Sequence, residues 1–190
     1  MSALFVSTLG RTEAEVLAWD QFVIKSFRTS GYHLSGWRRV IEEAFGHPTC
    51  YLTVRGENGA LCGLVPLVFL ASRGFGRFLV SLPFVNYGGM IADSAEVCRL
   101  LEAGAIEQAK VLDAQHIELR QEAPLATSWV STERKVSMRL PLPPSYEDLL
   151  KGFPSKLRSQ VRRAQKEGMV ARVGGVECLD EFYTVFSRCM

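Results

Sequence analysis

The chain has 190 residues, 47% of them hydrophobic and 22% charged, with a net charge of +2. That length buries one real core with material left for part of a second, and the balance is that of a globular protein. It excludes an intrinsically disordered chain and a broadly basic nucleic-acid binder, so stable DNA binding is not expected.

The first ten residues, MSALFVSTLG, have neither a basic start nor a long apolar centre and do not read as a signal peptide. The most apolar run, residues 63–71, contains Pro66 and is too short to cross a bilayer, so no transmembrane segment is expected. The five cysteines (Cys50, Cys62, Cys98, Cys178 and Cys189) are scattered, with no C-x-x-C pair. That pattern reads as free thiols in a reducing cytoplasm.

In chain order, residues 4–9 form a short strand. Thr12 and Glu15 make a capping box for a helix that turns Val16, Trp19 and Val23 inward and ends near Ser26. A second helix from Ser35 carries Trp37, Val40, Ile41, Ala44 and Phe45 on one stripe and stops at Gly46 and Pro48. Residues 50–55 and 60–70 are strands joined at Asn58-Gly59, a pair suited to the positive φ angles of a tight hairpin. The second of these strands is apolar almost throughout, which predicts a central position covered on both faces.

Residues 78–84 extend the meander, residues 87–89 turn, and residues 90–92 are briefly extended. Asp93-Ser94 opens a long helix with Val97, Leu100, Leu101, Ala105, Ala109 and Leu112 on its buried side. Residues 115–120 alternate, placing Ile117 and Leu119 on one face and His116, Glu118 and Arg120 on the other. Val136, Met138 and Leu140 alternate in the same way before a proline-rich stop.

The remainder is a short helix after Ser145, a basic helix over residues 154–168, a strand at 169–173 and a final helix with Leu179, Phe182, Tyr183 and Phe186 on one face. Strand, glycine and acidic-start helix repeat the opening of the chain, the start of a second copy. The chain stops within that last helix with its apolar face uncovered, which predicts a fragment of a longer protein. These elements give a mixed α/β (α+β) class, a mostly antiparallel sheet flanked by helices, in the strand and helix order of the GNAT N-acyltransferase fold. The expected division is a first GNAT-like domain over residues 1–145, with 146–190 a basic linker helix and the start of a truncated second one.

Five strings carry a more specific resemblance: WRRVIEEAFGHP (37–48), SLPFVNYGG (81–89), HIELR (116–120), KVSMRL (135–140) and KLRSQVRRAQKEG (156–168). Together, in this order, they resemble the FemAB-related proteins associated with bacterial exosortase and PEP-CTERM systems, over the N-terminal part of that family. The resemblance implies two tandem GNAT-like domains and an acyl- or aminoacyltransferase acting on a cell-envelope or exopolysaccharide precursor. It implies acyl-CoA or aminoacyl-tRNA as donor in the full-length protein, with tRNA and a transiently met membrane surface among its partners.

GNAT enzymes that use acyl-CoA cradle its pyrophosphate in a Q/R-x-x-G-x-G/A turn before a helix. Here Arg73-Gly74-Phe75-Gly76 has the wrong spacing and precedes a strand, and Tyr87-Gly88-Gly89 is not that motif, so no cofactor is expected in this chain. No spacing fits a metal site or a hydrolytic triad, and the catalytic residues are not named by any motif.

The substrate-binding candidates fall into three groups. Asn86, Tyr87, Gly88 and Gly89 line a cleft or form a plain turn. His116, Glu118 and Arg120 supply acid/base groups or make an exposed ion-paired row. Lys156, Arg158, Arg162, Arg163 and Lys166 dock an anionic precursor, acyl donor or tRNA backbone, or form a solvated connector. His33 and His47 read as structural. Two functions follow: the transferase above, or a non-catalytic module whose basic helix docks an anionic glycan, lipid head group or RNA.

Overall fold

A computed structural model describes residues 3–26, 29–125, 127–133, 136 and 138–189. The chain divides into two compact units, Met1–Ser131 and Thr132–Met190. In the first, β1 (Leu4–Thr8) is followed by α1 (Glu13–Lys25), a single 3₁₀ turn (Gly31–His33) and α2 (Gly36–Arg39), which widens into a π turn over Val40–Ala44. Strands β2 (Thr49–Gly56), β3 (Leu61–Ser72), β4 (Gly76–Ser81) and β5 (Ile91–Ala92) lead to α3 (Ala95–Val111) and β6 (His116–Glu118).

The sheet runs β1-β2-β3-β4-β6, with β5 also on β3. Every pairing is antiparallel except β4 with β6, which is parallel in the register Phe78↔His116, Leu79↔Ile117 and Val80↔Glu118. The fold is therefore mixed α/β, a mostly antiparallel sheet flanked by helices, as the element order implied.

Strand periodicity places the core on both faces. Leu52, Val54, Val65, Leu67 and Leu79 point to one side, against Val97, Cys98, Leu101, Ala105 and Ala109 of α3. Tyr51 and Leu64 point to the other, with Trp19 and Val23 of α1, while Ile41, Val68, Leu82 and Val85 form a smaller cluster beneath α2. A Cβ at Gly63 would lie 2.4 Å from Val97 Cγ1 and 2.8 Å from the Ile91 carbonyl, so a bare backbone here is what lets α3 and β5 close onto β3.

The α1 capping box forms as expected, with Thr12 accepting from the Glu15 amide and Glu15 reaching back. Two expectations for the first unit change. The stripe at Trp37, Val40, Ile41, Ala44 and Phe45 buries only Ile41 fully; Val40 and Phe45 are exposed. The π turn is the reason, because its extra residue per turn rotates later positions off a 3.6-residue stripe. In the β2–β3 hairpin only Gly59 takes positive φ (+76°) and Asn58 does not. A Gly59 amide bonded to the Gly56 carbonyl at 2.9 Å makes this a type I turn with a left-handed glycine after it.

The second unit holds α4 (Tyr146–Gly152), α5 (Ser155–Lys166), a 3₁₀ turn (Val176–Cys178) and α6 (Leu179–Cys189). Ser145 caps α4 by accepting from the Asp148 amide, and Gly168 ends α5 at φ +74°. The two strands expected here do not form among the described residues. Val136, Met138 and Leu140 are irregular and exposed, and so are residues 169–173. Alternation gives a strand only where a neighbouring strand takes up its amides and carbonyls, and none pairs with them. Lys135 and Ser137 of the expected strand, and Met190 of the last helix, lie outside the described residues.

Candidate functional site

Because β4 and β6 are parallel, their carboxyl ends lie at the same end of the sheet. The chain leaves β4 there through residues 82–90, and leaves β6 through Arg120 and Gln121. These two exits are tied together by backbone and side chain. The Arg120 amide donates to Ser81 Oγ at 2.7 Å, its Nη1 donates to the Val85 carbonyl at 3.2 Å, and the Gly88 amide donates to the Arg120 carbonyl at 3.3 Å. With its amide turned to make both bonds, the Gln121 side chain donates to the Met90 carbonyl at 3.3 Å and accepts from the Met90 amide at 2.6 Å.

The opposite side of the same turn is held by His33. The Ser30 amide donates to His33 Nδ1 at 3.2 Å, so the ring proton sits on Nε2 and is donated to the Gly89 carbonyl at 3.1 Å. The Trp19 indole in turn donates to the His33 carbonyl at 2.6 Å, anchoring this residue to α1. His33 is 4% exposed, and burial lowers its pKa, opposed by the bond to the Gly89 carbonyl.

Packing explains the glycines. A Cβ at Gly88 would stand 2.5 Å from Leu82 Cβ, and one at Gly89 would meet the Gln121 amide at 2.5 Å. Leu82 (φ +42°) and Phe84 (φ +73°) are themselves in the left-handed region, where bulky side chains cost about 1–3 kcal/mol each. The reversal sends Leu82 and Val85 into the core and leaves the Phe84 ring 56% exposed. Phe84 stacks on Phe45 at 4.5 Å between centroids and 16° between planes, and on His47 at 5.9 Å and 19°.

α2 is seated by a charged knot. Arg38, 12% exposed at its side chain, donates through Nη1 to the Leu9 and Gly10 carbonyls (3.2 and 2.9 Å) and lies 5.7 Å from the Tyr51 ring centre. Arg11 grips Glu42 with two bonds of 2.9 Å, and Thr49 donates to the same carboxylate. Burial alone would raise the Glu42 pKa, but the Arg11 and Thr49 bonds and the Arg11 and Arg38 charges together hold it below the usual carboxylate range.

The predicted residues divide accordingly. Gly88 and Gly89 are buried in the turn, Tyr87 is half-buried and Asn86 is exposed. Arg120 belongs to this site and also pairs with Glu118 at 2.8 Å, so the expected ion-paired row exists at these two positions. His116 lies at the start of β6, exposed, with its ring edge-on to Phe78 at 6.2 Å. Lys156, Arg158, Arg162, Arg163 and Lys166 belong to the second unit and are all on α5; Arg163 pairs with Glu167 at 2.7 Å.

Sequence reasoning missed Ser81, Gln121, Phe45 and Phe84, and gave His33 no tie to the turn. The strings 37–48 and 81–89 contain both phenylalanines, but nothing in their spacing marked two rings 39 positions apart as neighbours.

Arg73 and Gly74 lie in the β3–β4 hairpin loop, which Gly76 closes as the first residue of β4 at φ +99°. The residues before α3 are Asp93, a carboxylate, and Ser94, whose hydroxyl accepts from the Val97 amide. That helix start is already capped by its own serine. Among the described residues no three His, Cys, Asp or Glu side chains gather as metal ligands, and no helix is long and apolar enough to cross a membrane.

A scan against protein-family models and a search of curated proteins each found no match. Solved structures with a similar backbone include a GNAT family acetyltransferase of Staphylococcus aureus, 15% identical with a TM-score of 0.48, which covers 74% of this chain and 100% of its own. An acetyltransferase of Trypanosoma brucei is 13% identical with a TM-score of 0.48 over 73% and 100% of the two chains. The aminoglycoside 6'-N-acetyltransferase AAC(6')-Ih of Acinetobacter baumannii is 12% identical with a TM-score of 0.40 over 74% and 100%. At these identities and scores the likenesses stand beside the fold and add nothing to the reading of the site.

Proposed function

We propose that this chain is the N-terminal part of a FemAB-like acyl- or aminoacyltransferase acting in the cytoplasm on a cell-envelope or exopolysaccharide precursor. The observation that carries the reading is the meeting of two of the five resembling strings. Residues 81–89 and 116–120 are far apart in sequence, yet Ser81, Val85 and Gly88 are all bonded to Arg120. A turn fixed from both sides at the carboxyl end of a parallel strand pair is a preorganised wall for a reacting group.

In the reaction, an acceptor amine or hydroxyl attacks the acyl carbonyl of an activated ester or thioester. A bond from nitrogen or oxygen to the acyl carbon forms, the bond to the leaving group breaks, and the attacking group's proton is released. An acyl-CoA or aminoacyl-tRNA would supply the activated acyl group. Arg120 is a positioning residue: it sets the Val85 carbonyl and, through its backbone, the Gly88 amide. The 86–89 turn then orients the acceptor.

The test is transfer of labelled acyl groups from acyl-CoA, and separately from aminoacyl-tRNA, to an envelope-precursor fraction by the purified full-length protein that carries these residues. Transfer from at least one donor, reduced tenfold or more in Arg120→Met, is expected. Transfer from neither donor overturns the reading.

A second reading rests on α5. Arg158, Arg162 and Lys166 recur every four residues, a row with about 6 Å between successive cations. Leu157, Val161 and Ala164 form the apolar stripe of the same helix. A binding module docking a polyanion through this row would bind RNA with an affinity that falls steeply with salt. The triple change Arg158→Ala, Arg162→Ala and Lys166→Ala would then flatten the log–log salt slope by about 2–3. An unchanged slope removes that reading.

A further inference from the structure

We propose that the tip of the β3–β4 hairpin, Phe75 with Arg73, is a contact for the surface of an anionic lipid bilayer. The pairing of β3 with β4 runs without a break from Leu67↔Ser81 to Ser72↔Gly76 and leaves a three-residue loop, Arg73-Gly74-Phe75, beyond the last pair. Phe75 is 84% exposed, more than any other phenylalanine among the described residues. Turn positions of this kind favour small and polar residues, and a phenylalanine held in water forgoes the stabilisation of burial.

The loop stands on a fixed stem. Gln115 bonds both backbone groups of Arg77: its side-chain oxygen accepts from the Arg77 amide at 3.2 Å, and its own amide donates to the Arg77 carbonyl at 2.9 Å. Arg77 is also ion-paired with Asp113. The segment that makes these bonds, residues 111–115, carries a second exposed apolar side chain, Val111 at 77%.

The occupant follows from shape and charge. A stable protein interface takes about 800 Å² from each partner, which a convex three-residue tip does not offer. A bilayer surface needs only side chains that reach between headgroups, and an aromatic ring beside a cation suits that zone. Residues 71–79 hold no acid. Asp113 is taken up by Arg77 and Glu107 by Lys110, which leaves Arg73, with no ion pair among the described residues, as the surplus cation. The six residues of β4 separate this tip from the 86–89 turn by about 20 Å, so docking leaves the turn uncovered. The assignment concerns binding alone and does not depend on acyl transfer.

The experiment is sedimentation of the full chain with vesicles of phosphatidylcholine containing an equal share of phosphatidylglycerol, and with vesicles of phosphatidylcholine alone. Saturable binding to the anionic vesicles, weaker on the neutral ones, is expected. Phe75→Ser should lower the partition coefficient about tenfold, the low end of the effect of burying a phenylalanine side chain. Arg73→Gln should lower it about fivefold on anionic vesicles, the usual effect of one cation at a charged surface, and leave it unchanged on neutral ones. The far-ultraviolet spectrum would report that both exposed substitutions keep the fold. The same losses should appear in a chain with Arg158→Ala, Arg162→Ala and Lys166→Ala, which removes the α5 row from the comparison. No binding to anionic vesicles, binding unchanged by Phe75→Ser, or binding that vanishes with the α5 changes alone would overturn the proposal.

Discussion

His33 joins two segments 56 positions apart through one imidazole in one tautomer, which makes the 86–89 turn sensitive to a single proton. Its pKa is lowered in the folded chain, so between that value and the unfolded value of about 6.5 the unfolded state carries the extra proton. Stability is therefore full above the unfolded value, is lost as pH falls through the interval, and levels off below the folded value. His33→Gln keeps an N–H for Gly89 but cannot titrate. Urea midpoints at pH 7.5 and 5.5 should show a larger drop for the native chain than for this variant; equal drops would detach His33 from the effect. The glycines of the turn offer a second comparison. Gly88→Ala drives a methyl into the body of Leu82, and Gly89→Ala pushes the Gln121 amide off its two bonds to Met90. Thermal denaturation should show each change costing about 1–3 kcal/mol, the usual range for an overpacked core position.

Among the elements, α2 depends least on its own sequence and most on its neighbours. Its four α-helical residues and π turn have one fully buried side chain, Ile41. What fixes it is the Arg38–Glu42 knot, which bonds to β1's exit at Leu9 and Gly10 and to the start of β2 at Thr49. Glu42→Ala leaves the Arg38 guanidinium largely buried without its carboxylate, and should cost about 3 kcal/mol in denaturant unfolding. A loss no larger than that of exposed Arg39→Ala would show that the knot is incidental. The same helix shows how far the sequence could be read. Capping at Thr12, Ser94 and Ser145, the apolar central strand β3 and the buried side of α3 all follow from local spacing, and all are present. The π turn leaves no mark in a hydrophobic pattern, because the stripe at Trp37, Ile41 and Phe45 is the same string whichever way the backbone winds. For the same reason Arg120 and the 86–89 turn were legible as separate candidates, while their bonding through Ser81, Val85 and Gly88 depends on a parallel β4–β6 pairing that no local signal encodes.

Across the whole chain, burial is divided very unevenly. Every residue of the three hydrophobic clusters lies at or before Trp129, and all of the sheet is in the first unit. In the second, α4, α5 and α6 contain no fully buried residue, and Leu179, Phe182, Tyr183, Val185 and Phe186 of α6 remain 46–65% exposed. A fully buried aliphatic side chain contributes about 1.5–3 kcal/mol, so cooperative stability must reside almost wholly in residues 1–131. Cutting the chain after Ser131 should therefore leave a product with the native unfolding midpoint to within a few degrees. The complementary piece, residues 132–190, should show helix at most and no cooperative thermal transition, since short helices without packed faces are marginal in water. If the first piece instead lost its sharp transition, or the second gained one, the burial argument would fail. The same cut separates the two functional readings physically. The Phe75 hairpin tip and the Arg120-dependent turn stay with residues 1–131, while salt-sensitive polyanion binding by the α5 row leaves with residues 132–190.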